Sequence, residues 1–325
     1  MSTPGLAVPG AFVPQPPAGG QGPTATTRLS DRVLVALCWL AGLMLVAITG
    51  AILIFMLVKG VSYLSVNLLF SHPSPSVSQS GSGGILDPLE GTLLLTAIGI
   101  VIAVPLGVAT AVWLTEFGRP FWLARAVDSG VEIVAGTPSI VLAFFGFTLF
   151  TRSPFGFLSV TASGNAIFGR SFLCAGLMMS LIALPLVVST VREGLSRVPA
   201  HVREASYALG KGKWATIRRI LIPQVRPAIG TGTALGMGRI IGDTAIVVIL
   251  LGATDRIDQI SHTPVLGLLR GTGSTLTSYV YNNSPAGEGN APQKAYATAF
   301  VLLVLVIVIN LIVERLSSRG AKWSN

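Results

Sequence analysis

Charge is what this sequence has little of. Of its 325 residues only 11% are Asp, Glu, Lys or Arg, whereas 51% are hydrophobic and the mean hydropathy is +0.72. That balance excludes an ordinary soluble domain and places the chain among polytopic membrane proteins. Cysteine is scarce as well: Cys38 and Cys174 lie in separate apolar runs, which leaves no disulfide framework and no metal-binding spacing. No repeat of fixed period occurs, so a solenoid is excluded. A nucleotide-binding loop is also missing. GKGKW at 210–214 is glycine-rich, but Tyr207 stands where a Walker A loop needs its first glycine and Trp214 where it needs Ser or Thr.

Long apolar runs are what the sequence does have. Six of them, at about 33–58, 92–114, 131–150, 171–191, 228–252 and 295–313, reach the roughly 20 residues that a helix needs to cross a bilayer core. They are too long and too continuous for the alternating strands of a barrel. The expectation is an all-α membrane protein of six transmembrane helices. The first run is too long and too far from the N-terminus for a cleaved signal sequence, and reads as an anchor.

Basic residues then set the orientation. One set of segments holds Arg28, Arg32, Arg119, Arg125, the eight basic residues of 192–227, and Arg315, Arg319 and Lys322. The other holds only Lys59, Arg152, Arg170, Arg256, Arg270 and Lys294. The positive-inside rule places the first set, and with it both termini, in the cytoplasm. This asymmetry accounts for most of the net charge of +9, so nucleic acid is not an expected partner.

Residues 1–27 are rich in Pro, Gly, Ala and Thr and read as a disordered tail. Residues 28–90 comprise the first span and an outside loop containing SHPSPSVSQSGSGG, residues 91–315 the remaining spans, and 316–325 a cytoplasmic tail. The outside segment 253–294 is polar and turn-rich. Prolines recur inside the runs as Pro105, Pro138 and Pro185. Each removes a backbone hydrogen bond, and the freed carbonyl must find a partner or face a wet cavity. GTPS at 136–139, with Thr137 and Ser139 flanking the proline, is the best candidate for a pathway-facing break; a packed structural kink is the alternative.

The segment 191–227 reads as two short helices rather than a tether. Pro199 suits a first helical turn, Val202, Ala205, Ala208 and Leu209 follow at helical spacing, and Gly210 offers a left-handed stop. A second amphipathic stretch through Trp214, Ile217, Ile220 and Leu221 is expected to end before Pro223. On spacing alone, a basic amphipathic segment of this kind is a solvated or lipid-surface helix more often than a docking site.

Within it, EASYALGKGKWATIRRILIP resembles the EAA loop of binding-protein-dependent ABC transporter permeases, with Glu204, Ala205, Gly210, Ile222 and Pro223 in the places of that pattern. The resemblance implies a coupling helix that docks into a groove on a separate ATPase subunit. It extends from about 83 to 313: VEIVAGTPSIVLAFFGF, RIIGDTA, TSYVYNNSP and KAYATAFVLLVLV are similar to the PstA-type permeases of phosphate ABC transporters. What that implies is a type I ABC importer permease fold and a transport subunit rather than an enzyme. The implied partners are a PstC-type second permease, a dimeric PstB-type ATPase that binds the ATP and Mg, and an extracytoplasmic PstS-type phosphate-binding protein. One departure stands out: Asp243 occupies a position where the family usually has Glu.

Arg239 and Asp243 pose the sharpest question. In a continuous helix over 228–252, Arg239 would lie roughly 17 Å from the nearer end, too deep for full snorkelling. A charge at that depth costs about 3 kcal/mol or more unless it faces protein or water. Two roles fit. Asp243, one helical turn on, neutralises Arg239 structurally; or Arg239 presents its planar donors to a dianionic oxyanion while Asp243 keeps the resting site near neutral. Arg170 and Arg152 read either as entrance charges or as interfacial anchors. Two rival readings remain: a permease for another oxyanion or solute on the same scaffold, and a carrier or channel that works without an ATPase.

Overall fold

The computed structural model describes residues 25–73, 83–159, 167–252, 264–285, 287 and 291–318. Most of the N-terminal tail, most of the 71–84 Ser/Pro/Gly stretch, Arg256, and the last residues with Arg319 and Lys322 lie outside them. The described residues are helical throughout apart from turns and isolated bridges. In chain order the helices are α1 (Ala25–Ser62), α2 (Val66–Phe70), α3 (Leu86–Val112), α4 (Phe121–Gly136), α5 (Ser139–Phe150), α6 (Phe172–Ser196), α7 (Ala200–Ala208), α8 (Lys213–Thr216), α9 (Ile222–Gln224), α10 (Arg226–Gly242), α11 (Ala245–Leu250), α12 (Pro264–Arg270), α13 (Leu276–Asn283) and α14 (Pro292–Ser318).

Residues 1–55 and 56–325 form separate units. In the first, the described stretch of α1 leaves its apolar side chains exposed, among them Trp39, Leu45 and Val46. In the second, α3 and α6 pack along each other, α10 lies against both, and α14 packs on α10 and α13. The core joins Leu95 of α3, Met178, Met179 and Ile182 of α6, Ile240 of α10, and Ile246 and Leu250 of α11. Small residues let these helices approach. A Cβ on Gly176 would stand 2.4 Å from Ile98 Cγ2, and one on Gly99 would stand 2.7 Å from Ile240 Cδ1. Lipid tails offer no hydrophobic drive to bring helices together, so close backbone packing of this kind carries the association.

The six expected spans are not six uninterrupted helices. Four described helices are long and apolar enough to cross a membrane, and the α4–α5 pair supplies a fifth only if its 107° bend lies within one span. The run 228–252 is divided between α10 and α11. Of the three prolines, Pro105 and Pro185 sit inside continuous helices, and only Pro138 coincides with a break. Thr137, held off the helical region by the following proline, has φ −77° and ψ 129°. Its hydroxyl donates to Ile133 O at 2.7 Å, satisfying a carbonyl near the break.

Candidate functional site

Two places in this scaffold gather charge and hydroxyl groups. The first is the division between α10 and α11. Gly242, Asp243 and Thr244 interrupt the apolar run, and Asp competes with the helix by bonding nearby backbone itself. Asp243 is extended, at φ −82° and ψ 126°, and 4% exposed. Its Oδ1 accepts the N–H of Ile246, the second residue of α11, at 3.0 Å; Thr244 stands at the N-cap position, and the carboxylate just before it satisfies one of the N–H groups that a helix start leaves free. The acid therefore starts α11.

This geometry overturns the expected one-turn pairing on a continuous helix. Arg239 enters none of the ion pairs among the described residues, and it is exposed on α10. Thr231 and Leu235 are exposed on the same face at four-residue spacing. A Cβ on Gly238 or Gly242 would meet nothing within 4 Å. The face about 100° round the helix, with Gly232, Gly236 and Ile240, is buried.

What surrounds Asp243 is a cluster of hydroxyls. Thr277 Oγ1 reaches the Asp243 carbonyl at 3.5 Å and Thr275 Oγ1 at 2.8 Å. Thr275 and Ser278 form a capping box at the start of α13, and Thr92 Oγ1 of α3 accepts the N–H of Leu276 at 2.9 Å. All four hydroxyl residues are buried. Their bonds join α3, α13 and the α10–α11 break in a buried position, so each satisfied donor helps to hold the break open. Reading the sequence missed these residues; TGSTLTS at 272–278 carries the capping signal, a Thr with Ser three positions on.

Thr137 and Ser139 lie at the α4–α5 bend, both half-buried, and no hydrogen bond joins them to Arg239. Arg170 is at the start of α6, away from the bend. Its guanidinium lies over the Phe147 ring, 5.3 Å from the centroid, and its Nε is buried without a hydrogen-bond partner.

The second place is the segment between α6 and α10. Pro199 caps α7, and Gly210 ends it at φ +73°, a left-handed conformation that favours glycine. Ser206 Oγ of α7 and Thr216 Oγ1 of α8 are hydrogen-bonded at 2.8 Å, which folds the two helices onto each other. Beyond α8 the chain does not stop before Pro223. A π-helical turn over Ile217–Leu221 leads directly into α9, which contains Pro223. The wider turn accommodates a ring that would clash with the carbonyl four residues back in a regular helix.

The buried side chains of this segment are Val198, Ser206, Thr216, Ile217, Leu221 and Val225. Only part of the expected apolar stripe turns inward: Val202 and Ile220 are half-buried, whereas Ala205 and Ala208 are exposed, as are Leu209 at 78% and Trp214 at 66%, with Tyr207 beside them at 42%. Glu204 is exposed beside them, and Ile222 and Pro223 are half-buried. The segment thus carries an uncovered apolar tip on a base fixed into the core through Ile217, Leu221 and Val225.

Residues 103–321 match the family model described as the binding-protein-dependent transport system inner membrane component. The chain belongs to that family. It is the membrane permease component of an ABC importer, a transport subunit rather than an enzyme, with ATP hydrolysis on a separate subunit. Among its relatives, the permease is 36% identical to the phosphate transport system permease protein PstA 1 of Mycobacterium tuberculosis, over 71% of this chain and 69% of that one. It is 30% identical to the probable ABC transporter permease protein YqgH of Bacillus subtilis, over 90% and 91% of the two chains. It is 31% identical to the phosphate transport system permease protein PstC of Xylella fastidiosa, over 70% and 69%. Among solved structures, a bacterial alginate ABC transporter matches with a TM-score of 0.61 at 15% identity, covering 91% of this chain and 97% of that one. The methionine transporter MetNI matches with a TM-score of 0.53 at 20% identity, over 73% and 94%. The type I importer permease fold is therefore common to proteins described as handling different substrates.

Proposed function

We propose that this permease forms one half of the path by which an ATP-driven importer moves inorganic phosphate across the inner membrane. The observation that carries the reading is the exposure of Arg239 on an open face of α10 with no counter-ion among the described residues. It lies about 20 Å along that helix from its start, at about 1.5 Å per residue. An arginine cannot face hydrocarbon there without a cost of about 3 kcal/mol or more, so this face belongs against a second permease or a wet path. A planar guanidinium presented on that face suits the oxygens of a dianionic phosphate. The relatives described as phosphate permeases favour that anion over others. Thr137, Ser139 and Arg170 are assigned to the same path, the first two at the α4–α5 bend and Arg170 toward its outer mouth.

Both termini are assigned to the cytoplasm. On this reading the 200–224 segment docks on a dimeric ATPase that binds ATP and Mg, and an extracytoplasmic binding protein delivers the anion. The exposed Tyr207, Leu209 and Trp214 support docking, because an apolar tip left uncovered on a fixed base fits a protein groove. Glu204, Ala205 and Gly210 provide a carboxylate and close approach, and Ile222 and Pro223 close the segment.

The test is phosphate uptake by the complete complex in proteoliposomes, with sulfate and molybdate as competitors. ATP-dependent uptake that only phosphate competes for is expected, and the Arg239→Gln variant should lose it while still assembling. Competition by sulfate or molybdate with none by phosphate would remove the substrate assignment. Flux through this chain alone, indifferent to ATP, would remove the coupling to an ATPase.

A further inference from the structure

The charges at the base of the 200–224 segment are not equivalent. Arg197 and Glu193 pair on one helix with side chains 77% and 64% exposed, an arrangement that water largely screens. Arg203 and Glu116 pair at 22% and 7% exposure. They join residues 87 positions apart: Arg203 on α7, and Glu116 in a π-helical turn over Trp113–Phe117 that continues α3.

Every nitrogen of the Arg203 guanidinium is used. Nε donates to Glu116 Oε1 at 3.0 Å, and an Nη lies 2.9 Å from the same oxygen. The two Nη groups also donate to Val198 O at 2.8 Å and to Leu195 O at 3.0 Å. One side chain thereby closes the last turn of α6 and ties it to α3 and α7. The neighbouring residue of the π turn, Phe117, lies under Lys213 of α8, whose Nζ is 4.6 Å from the ring centroid. Both limbs of the segment rest on two consecutive residues of a single widened turn, a helix irregularity often found at working sites.

We propose that this turn is a joint through which Glu116 and Arg203 pass movement of the coupling segment to α3 and α6, making both positioning residues for transport. The proposal rests on the coupling reading above. It follows from burial and direction. Glu204, the next residue after Arg203, is exposed, so a load applied at the exposed tip meets Arg203 at the next position of α7, beside the apolar base through Ile217, Leu221 and Val225. A half-buried, multiply bonded guanidinium holds one geometry, and its planar fork cannot be reproduced by an ammonium. A rigid link of this kind moves α3 and α6 with the segment, whereas a broken one lets α7 tilt alone.

The experiment uses the complete complex, purified through a tag on this chain, in proteoliposomes with phosphate-loaded binding protein. Glu116→Gln keeps shape and removes the charge; Arg203→Lys keeps charge and removes the fork. For both, the ATPase is expected to copurify and hydrolyse ATP, while phosphate transported per ATP falls at least tenfold. A wild-type ratio in either variant, or loss of the ATPase from either complex, overturns the joint. Glu204→Ala and Gly210→Ala are run beside them. If these two retain the ATPase and full uptake, the coupling reading itself is wrong; if they lose it while Glu116→Gln is normal, only the joint is wrong.

Discussion

Asp243 Oδ1 accepts the backbone N–H of Ile246 at 3.0 Å, so the acid in GRIIGDTA caps a helix that begins after it and does not pair with Arg239 one turn before. The two charges have different tasks. Asp243 holds the end of an interrupted helix inside the bundle, and Arg239 is left available on the open face of α10.

Capping predicts an order of substitutions at Asp243. Asn keeps an oxygen able to accept the Ile246 N–H, whereas Ala removes it at a cost of about 1 kcal/mol. Thermal unfolding in detergent should therefore rank wild type and Asp243→Asn close together and Asp243→Ala below both. Equal loss in Asn and Ala would indicate that the negative charge, and with it a hidden ionic partner, matters more than the cap.

At Arg239 the fork matters in addition to the charge. Arg239→Lys preserves a cation but cannot place two parallel donors on one anion. Phosphate uptake is expected to fall about tenfold, which corresponds to about 1.4 kcal/mol, with assembly unchanged. Wild-type uptake in the Lys variant would reduce Arg239 to a point charge.

Two glycines separate packing from pathway. Gly176→Ala puts a Cβ 2.4 Å from Ile98 Cγ2, so α3 and α6 must part and the melting temperature should drop. A Cβ added at Gly238 would meet nothing within 4 Å, and Gly238→Leu should leave the isolated chain stable. If the open face of α10 meets a second permease or the transported anion, the same change should abolish uptake or assembly; normal transport by Gly238→Leu would place that face elsewhere.

The Ser206–Thr216 hydrogen bond predicts non-additivity. Ser206→Ala leaves the Thr216 hydroxyl with its 3.2 Å bond to Gly212 O but without its buried side-chain partner, at about 1 kcal/mol. Removing both hydroxyls with Ser206→Ala and Thr216→Val should cost less than the sum of the singles. Additive losses in a thermal-shift series would show that the two hydroxyls act separately.

Gly210, at φ +73° with nothing within 4 Å of an added Cβ, isolates a backbone effect. Gly210→Ala should cost about 1–2 kcal/mol through its left-handed conformation, and Gly210→Asn less, since Asn tolerates that region. Retained ATPase binding in the Asn variant with loss in the Ala variant would trace the defect to the turn.

Local pattern made several of these features legible in the sequence. The helical class, the stop at Gly210, the bend beside Pro138 and the two limbs of the 191–227 segment follow from apolar run length, left-handed preference and proline geometry, which act over a few residues. Pro105 and Pro185 illustrate the limit. The same residue type breaks one helix and is carried by two others, because neighbouring helices decide whether a freed carbonyl is tolerated.

What the sequence by itself determined is that this chain lives in a membrane, carries no nucleotide loop of its own, and holds a basic segment with a family pattern. Tertiary structure alone decided which side chains meet. Asp243 found the Ile246 N–H with its carboxylate and the Thr277 hydroxyl with its backbone carbonyl rather than Arg239, and Arg203 found Glu116 across 87 positions. The physical reason is that a buried polar group takes the partner that packing brings within reach. Periodicity along the chain gives its face, but only the packed bundle gives its neighbour.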